Sequence, residues 1–386
     1  MTAGVENIAT DRKNILLLQK NAKACIIEGT TSARDTMTSN NKEGRSMRAD
    51  GKRVRGASPM YTVAAYFMAK RYDAQNMIEV DVPIDPIGAY IREKRKEGKT
   101  LSHLGIVIAA YLRLAAEFPL LNRFIVNKRC YERKEFNVGM VVLKPGEVDG
   151  TMNKIHLELE DDVFTVQEKL NAYIDENREA GDTNATDKVI SALLGIPGIL
   201  SVGVGALKLL DHFGLLPQAV IDASPFHTSF VVSNLASIKT NHIYHHCYQF
   251  GTTSVIITMG VPKEVPQRHG SNVTFERCLP LGIVMDERIC SGSYFALASL
   301  RLKEYLKNPH LLEGPPAFPV VRAWAKPGEY EKIRAKRRFK EAKRRIGKSD
   351  KTKAEKKEAL ALAKAEKKAA FREAKAIKKA AKKAKK

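Results

Sequence analysis

Four of the nine histidines of this 386-residue chain fall within residues 227–246. They are His227, His242, His245 and His246. Histidine titrates nearest to neutral pH, so such a cluster could supply a general base. No cysteine or carboxylate is spaced to complete a metal site with them, so no metal is expected. The alternative is that these are histidines at strand ends or in loops with ordinary hydrogen bonds.

The cysteines are scattered and odd in number: Cys25, Cys130, Cys247, Cys278 and Cys290. No C-x-x-C pair occurs, which argues against a disulfide framework and against a thiolate zinc site. This usage favours a reducing, cytoplasmic compartment. Cys247 and Cys290 could be nucleophiles, but each stands in an apolar, strand-like segment. We therefore expect buried, unreactive thiols.

The positive charge of the chain is concentrated at one end. The whole sequence has 65 Lys and Arg against 43 Asp and Glu, a formal charge of +22. Residues 331–386 hold 25 of the basic and 7 of the acidic residues, or +18, and the first 330 residues carry +4. The sequence therefore predicts a near-neutral body with a cationic tail, not a uniformly basic nucleic-acid-binding domain.

Strands and helices are interspersed in the hydrophobic pattern of the body. Alternating or apolar runs predict strands at Asn76–Val82, Phe124–Val126, Phe136–Leu143, Ile155–Leu159, Phe230–Leu235, Ser254–Met259 and Cys278–Arg288. Helical periodicity and caps predict helices at Ile87–Lys96, after Ser102, at the capping box Thr165-x-x-Glu168, and at Tyr294–Lys307. There is no strict β-α-β repeat, so the fold class is α+β. Motifs for dinucleotides, nucleoside triphosphates and zincin chemistry are absent.

Three regions differ in composition. Residues 1–52 are polar and without periodicity, so we expect disorder; residues 53–320 form the folded domain, and residues 321–386 the cationic tail. The tail is a Lys/Ala tract without an apolar face, which predicts an exposed, fraying helix.

The stretch Val189–Leu207 has 19 residues without a charge, near the length of a membrane helix. Five glycines and prolines interrupt it, which favours a buried helix pair over a membrane span. The apolar insertion Val189–Ile221 could line a ligand pocket, or it could form a satellite core or a contact with another copy of the chain.

Three collinear segments carry a family resemblance. The first is Leu104–Asn122, which ends in Phe-Pro-Leu-Leu-Asn. The second is Thr228–Leu235, followed by Gly251–Gly260, and the third is Asp286–Gly292 with the helix running to Leu312. Together they resemble the catalytic domain of the dihydrolipoyl acyltransferases of 2-oxoacid dehydrogenase complexes, whose fold chloramphenicol acetyltransferase shares. The resemblance covers roughly residues 55–315.

The resemblance implies a chloramphenicol-acetyltransferase-like mixed sheet packed with helices. It also implies an enzyme that moves an acyl group between coenzyme A, as acyl-CoA, and a thiol, amine or hydroxyl acceptor. Members of the family form homotrimers with the active site at the subunit interface. Residues 1–50 are too short and unpatterned for a lipoyl domain, so no bound lipoyl group is expected.

Carried over residue by residue, the resemblance assigns Ser233 to the hydroxyl that stabilises the oxyanion. Glu287 stands where the family has its histidine base, and Ser291 where it has an aspartate of mainly structural role. A free glutamate has a pKa of about 4.3 and a thiol one of about 8.5, so Glu287 could act as the base only if burial raised its pKa. His246 or a neighbouring histidine is the alternative base.

Two further hypotheses stay open beside the enzyme. One is a non-catalytic trimeric scaffold of the same fold. The other is that residues 331–386 bind nucleic acid, polyphosphate or another polyanion through phosphate contacts, against the alternative of a solvated extension that affects only solubility.

Overall fold

The computed structural model describes residues 48–55, 59–143, 150–179, 199–322 and 324–384. The segment predicted to be disordered, residues 1–52, lies outside the described residues up to residue 47, but its end is ordered, since Gly51–Arg53 form a short strand. The part of the apolar stretch before residue 199 also lies outside the described residues. The chain divides into two units, Met1–Val321 and Arg322–Lys386, which are described separately below.

The strands all belong to the first unit. In chain order they are β1 (Gly51–Arg53), β2 (Gln75–Pro83), β3 (Arg123–Val126), β4 (Arg129–Arg133), β5 (Phe136–Leu143), β6 (Gly150–Leu157), β7 (Phe230–Asn234), β8 (Val255–Met259), β9 (Lys263–His269) and β10 (Asn272–Asp286). The longer helices of this unit are α1 (Pro59–Phe67), α2 (Ile84–Lys96), α3 (His103–Glu117), α4 (Val163–Glu179), α5 (Ile199–Phe213), α6 (Gln218–Ala223) and α7 (Gly292–Lys307).

The main sheet has seven strands in the order β2-β10-β8-β7-β5-β6, with β9 paired to the outer part of β10. The pairs β5–β7 and β7–β8 are parallel, whereas the other pairs are antiparallel. A small second sheet has the order β1-β4-β3. The prediction of an α+β fold with a mixed sheet packed by helices is thereby confirmed.

The helices cover one face of the main sheet. Apolar side chains of α2, α3, α4 and α7 form one core with inward residues of the sheet such as Val232, Ile257 and Ile283. On the other face a small cluster contains Val231, Ile256, Val284 and Cys247. Since successive residues of a strand alternate between faces, Ser233 shares this second face with Val231.

Most predicted elements have bounds close to those observed, and β5 has the predicted bounds. The structure corrects the start of α4, where the carboxylate of Asp162, not Thr165, accepts a hydrogen bond from the first turn. It also adds β4, which lies in a Lys- and Arg-containing segment that was predicted as a turn. Tyr131 and Arg133 of that strand are buried, but charged residues stand beside them in the sequence. The alternation of buried and exposed positions is therefore not visible as an alternation of apolar and polar residue types.

The apolar insertion differs from its prediction. Residues Val202, Leu209 and Phe213 of α5 have exposed fractions of 72%, 60% and 54%, so the described part is not buried. Their spacing of seven and four residues places them on one face of the helix. Asp211 lies on the opposite face and is 5% exposed. No helix among the described residues has both the length and the apolar character needed to cross a membrane.

The second unit contains α8 (Glu329–Lys348) and α9 (Lys353–Lys383), which pack against each other as a hairpin. The prediction of a fraying, unpacked helix was therefore wrong. Ala335 and the two α9 residues Ala363 and Ala374 are buried, because small side chains let the two helices approach closely. A capping box between Thr352 and Glu355 begins the second helix after a short turn.

Candidate functional site

The turn after β10 is held by Asp286, which is fully buried. Its carboxylate accepts hydrogen bonds from Nε and Nη2 of Arg288, each at 2.7 Å, and Nε of Arg71 lies 3.4 Å away. Burial lowers the pKa of Arg71, and the carboxylate of Asp286 counteracts this. The two guanidinium groups and the carboxylate thereby fix the turn that carries the next residue, Glu287.

Glu287 is half-buried at the start of that turn. Its backbone N–H donates to the carbonyl of Ala74 at 2.8 Å, and its carboxylate accepts a hydrogen bond from Nδ2 of Asn76 at 2.9 Å. Both contacts tie the turn to the beginning of β2.

Ser291 has a structural position in the chain. Its hydroxyl accepts a hydrogen bond from the N–H of Tyr294 at 3.2 Å, which makes it the N-cap of α7. Its other contact is with the hydroxyl of Ser293 at 3.1 Å. Serine and aspartate both suit an N-cap, so this position needs a short side-chain acceptor whether or not it meets a substrate.

Ser233 is half-buried near the end of β7, on the sheet face opposite the helices. In the described part of the chain its hydroxyl has no hydrogen-bond partner. The next residue, Asn234, has a buried Oδ1 atom that is likewise without a partner among the described residues. Ser233 is therefore available as a donor to a bound molecule.

Ser233 and Glu287 lie far apart within one chain. The strand register aligns Ser233 with Thr258 and then with Gly282, two strands away. Asp286 is four residues further along β10. At about 4.8 Å between strands and 3.3 Å per residue, the Cα atoms of Ser233 and Asp286 are about 16 Å apart. The two candidate catalytic side chains therefore cannot act on one bond from the same chain.

The histidine segment, residues 242–246, runs across the sheet between the position of Ser233 and that of Asp286. His242 lies against Gly282 and Gly260, where an added Cβ would come within 2.9 Å of its ring and 2.3 Å of its backbone nitrogen, respectively. Its Nε2 is 3.8 Å from a carboxylate oxygen of Glu79. His242 thus lies against Gly282, at the end of the sheet where Ser233, Thr258 and Gly282 are aligned.

His246 lies at the opposite end of the segment. It is exposed, and its ring stacks on that of His245 at 4.9 Å between centroids. The carbonyl of Cys247, the next residue, accepts a hydrogen bond from the side chain of Gln75, which pairs with Asp286. His246 is therefore at the Glu287 end of the sheet.

His227 belongs to a separate buried network. Its Nδ1 is 2.7 Å from the hydroxyl of Ser224, and its Nε2 is 3.3 Å from Asp211. The same carboxylate accepts a hydrogen bond from Arg48 at 2.8 Å, and Arg48 also pairs with Asp50. This network joins α5 to the segment before β1, so the contacts of His227 are structural.

Cys247 and Cys290 are both 1% exposed, and burial raises the pKa of each thiol to about 12. The prediction that both thiols are buried is confirmed. No group of three or more histidine, cysteine or acidic side chains within the described ranges could hold a metal ion.

Sequence reasoning did not identify Arg71 and Asn76. Arg71 is 2% exposed and also donates to the carbonyls of Tyr248, Gly251 and Ile125. The sequence around Arg71 does not predict these contacts, because all the partners are at least 54 positions away. Asn76 could have been suspected only as a polar residue at the start of a predicted strand.

Three solved structures illustrate what the chain is similar to. A probable dihydrolipoamide acetyltransferase from Listeria monocytogenes matches 70% of this chain and 99% of its own, at 13% identity and a TM-score of 0.43. Dihydrolipoamide acetyltransferase of Azotobacter vinelandii matches 67% and 94% of the two chains, at 14% and 0.44. Chloramphenicol acetyltransferase matches 66% and 99%, at 14% and 0.43.

These proteins belong to the two groups of enzymes that the sequence segments resemble. Similarity at this level carries no conclusion about activity. No protein-family model matches the chain, and no curated protein matches it.

Proposed function

We propose that this protein is an acyltransferase that uses acyl-CoA and builds its active site between copies of the chain, in a homotrimer. The observation that carries the proposal is the hydroxyl of Ser233, which has no partner among the described residues and lies about 16 Å from the turn of Glu287. A neighbouring copy could bring its own turn to this hydroxyl, which one chain cannot do.

The reaction is the exchange of an acyl group between two nucleophiles. A base removes the proton from the acceptor, which attacks the thioester carbonyl, and the hydroxyl of Ser233 donates to the resulting oxyanion. Collapse breaks the carbon–sulfur bond, and coenzyme A leaves as its thiol after taking the proton from the base. Glu287 is the first candidate for the base and His246 the second.

The exposed apolar face of α5 supports association of copies. Val202, Leu209 and Phe213 are each more than half exposed and share one side of the helix. A contiguous exposed apolar surface of this kind is typical of a protein–protein contact. Covering it in an assembly would remove these side chains from water.

The test measures release of the coenzyme A thiol from acetyl-CoA and from longer acyl-CoAs. We expect Ser233→Ala to lower the rate about 10²- to 10³-fold, the usual effect of removing one oxyanion donor. Ser237→Ala is the matched control, because its exposed hydroxyl instead donates to a backbone carbonyl. An unchanged rate in Ser233→Ala would contradict the proposal.

The same assay separates the two candidate bases. Glu287→Gln and His246→Ala are compared with His269→Ala, whose side chain is exposed on β9. A large loss in only one of the first two variants identifies the base. Binding of coenzyme A without turnover of any acyl-CoA would instead support the scaffold hypothesis.

A further inference from the structure

Helix α9 separates its charges into two sides. Seven lysines, here called the lysine stripe, recur at intervals of three, four or seven residues: Lys353, Lys357, Lys364, Lys368, Lys375, Lys379 and Lys382. At about 100° per residue they fall within an arc of about 80°. The four glutamates of the helix, Glu355, Glu358, Glu366 and Glu373, fall on the other side.

The lysine stripe is unpaired and open to solvent. All seven side chains are exposed, and none has an ion pair or a hydrogen bond within the described chain. The seam with α8 lies on another side of the helix, where Ala363 and Ala374 are buried. Seven like charges on one flank repel one another, so an opposite charge brought to this flank is favoured.

The stripe is also straight and long. From Lys353 to Lys382 the helix rises about 44 Å at 1.5 Å per residue. Double-stranded DNA presents about one negative charge per 1.7 Å of its axis, so this length faces about 13 base pairs and many more phosphates than lysines. A rigid row of cations matches this regular row of anions without any contact to bases.

Other polyanions fit the stripe less well. An interfacial membrane helix needs an apolar face beside its basic one, whereas the exposed Leu362 lies on the side away from the stripe. Single strands are bound by stacking on aromatic rings, but Phe339 and Phe371 are half-buried beneath Lys367. Duplex RNA carries its phosphates on an A-form helix, so it is the alternative that the experiment must separate from DNA.

We propose that the lysine stripe of α9 is a site for double-stranded DNA, bound through its phosphates and without sequence preference. The site is independent of the acyl-transfer proposal, since none of its residues belongs to the first unit. Each lysine releases counterions when it neutralises a phosphate. Seven contacts give a slope of about −6 for the logarithm of the binding constant against that of the salt concentration.

The test uses the full chain and a fluorescent duplex of about 20 base pairs, longer than the stripe. In the stripe variant, Lys357, Lys364, Lys368, Lys375 and Lys379 are changed to Gln. In the control variant, five basic residues outside α9 are changed to Gln: Lys332, Lys336, Lys343, Arg345 and Lys351. Both variants lose five charges, and Gln keeps the helix propensity of Lys, which circular dichroism checks.

We expect wild-type and control affinities to fall about 10³- to 10⁴-fold between about 50 and 200 mM salt. The stripe variant should bind more weakly and lose only about tenfold over the same range, since two of the seven contacts remain. Equal losses in the two variants would overturn the site, because only the net charge would then matter. Tighter binding to a duplex RNA of the same length, or to phosphatidylserine vesicles, would overturn the choice of DNA.

Discussion

Ser291 has a structural role close to Glu287, the first candidate for the base. Its hydroxyl caps α7 only four residues after Glu287. Because a short acceptor is what an N-cap requires, the serine and the aspartate of the resembled family are exchangeable there. The serine at residue 291 therefore keeps the cap, whereas the proposed role of residue 287 as a base depends on its being a glutamate.

We predict that Ser291→Ala lowers the free energy of unfolding by about 1 kcal/mol, because the first turn of α7 loses its cap. Ser291→Asp should be close to wild type, since aspartate caps equally well. Urea unfolding measures both, with Ser271→Ala, an exposed serine in the turn between β9 and β10, as the control. A loss of acyl transfer beyond tenfold in Ser291→Ala, with stability unchanged, would show instead that the hydroxyl meets the substrate.

At the scale of elements, α5 is oriented by its one buried acid. Asp211 bonds to Arg48 and His227, while the apolar stripe of the helix points outward. Burial acts to raise the pKa of Asp211, but the hydrogen bond from His227 and the charge of Arg48 outweigh it, so the pKa lies below its ordinary value of 3.8. The charged form of the acid therefore stabilises the folded chain.

We predict that Asp211→Asn destabilises the protein by about 1–3 kcal/mol near neutral pH, since the buried Arg48 keeps Asp50 but loses its second charged partner. Because the folded pKa is lowered, this contribution is full above the ordinary carboxyl pKa and is lost as the pH falls below it. The difference in Tm between wild type and variant should thus shrink toward about pH 3. Asp222→Asn, on the neighbouring α6, is the control, and a pH-independent difference would contradict the electrostatic cause.

Local signals in the sequence predicted some elements correctly, whereas features that depend on distant contacts were not predicted. The bounds of β5 followed from its apolar run, and the end of α7 followed from Asn308-Pro309, because each signal is local. The orientation of α5 depends on Arg48, 163 positions away, and no local pattern contains that contact. Likewise Ser233 was identified from its motif, but its distance from Glu287 required the strand register.

At the scale of the whole molecule, the packing of α8 against α9 shows why the prediction of an unpacked helix failed. The Lys/Ala tract has no long apolar side chains in sustained register, so it predicted an unpacked helix. Alanine instead permits close approach, and Gly328, at φ 76°, lies where an added Cβ would come within 2.1 Å of the carbonyl of Ala374. A seam of small residues thus makes a hairpin from a sequence without a hydrophobic stripe.

Mixing two inactive variants tests where the active site forms. Ser233→Ala lacks the proposed oxyanion donor, and Glu287→Gln lacks the first candidate base. If Ser233 of one copy meets Glu287 of the next, trimers assembled from equal amounts of both contain intact sites at about a quarter of their interfaces. We therefore predict that the unsorted mixture recovers about a quarter of the wild-type rate of coenzyme A release, and that trimers containing both variants recover about a third.

The two variants are produced together with different affinity tags, and doubly purified trimers are assayed beside each variant alone and beside wild type. Purifying with both tags removes trimers of a single kind, which leaves every retained trimer with one site joining Ser233 of one copy to Glu287 of another. If both side chains served the same bond from one chain, every site in these trimers would lack one group. The mixture would then be as inactive as its parts, and the interface assignment would be wrong.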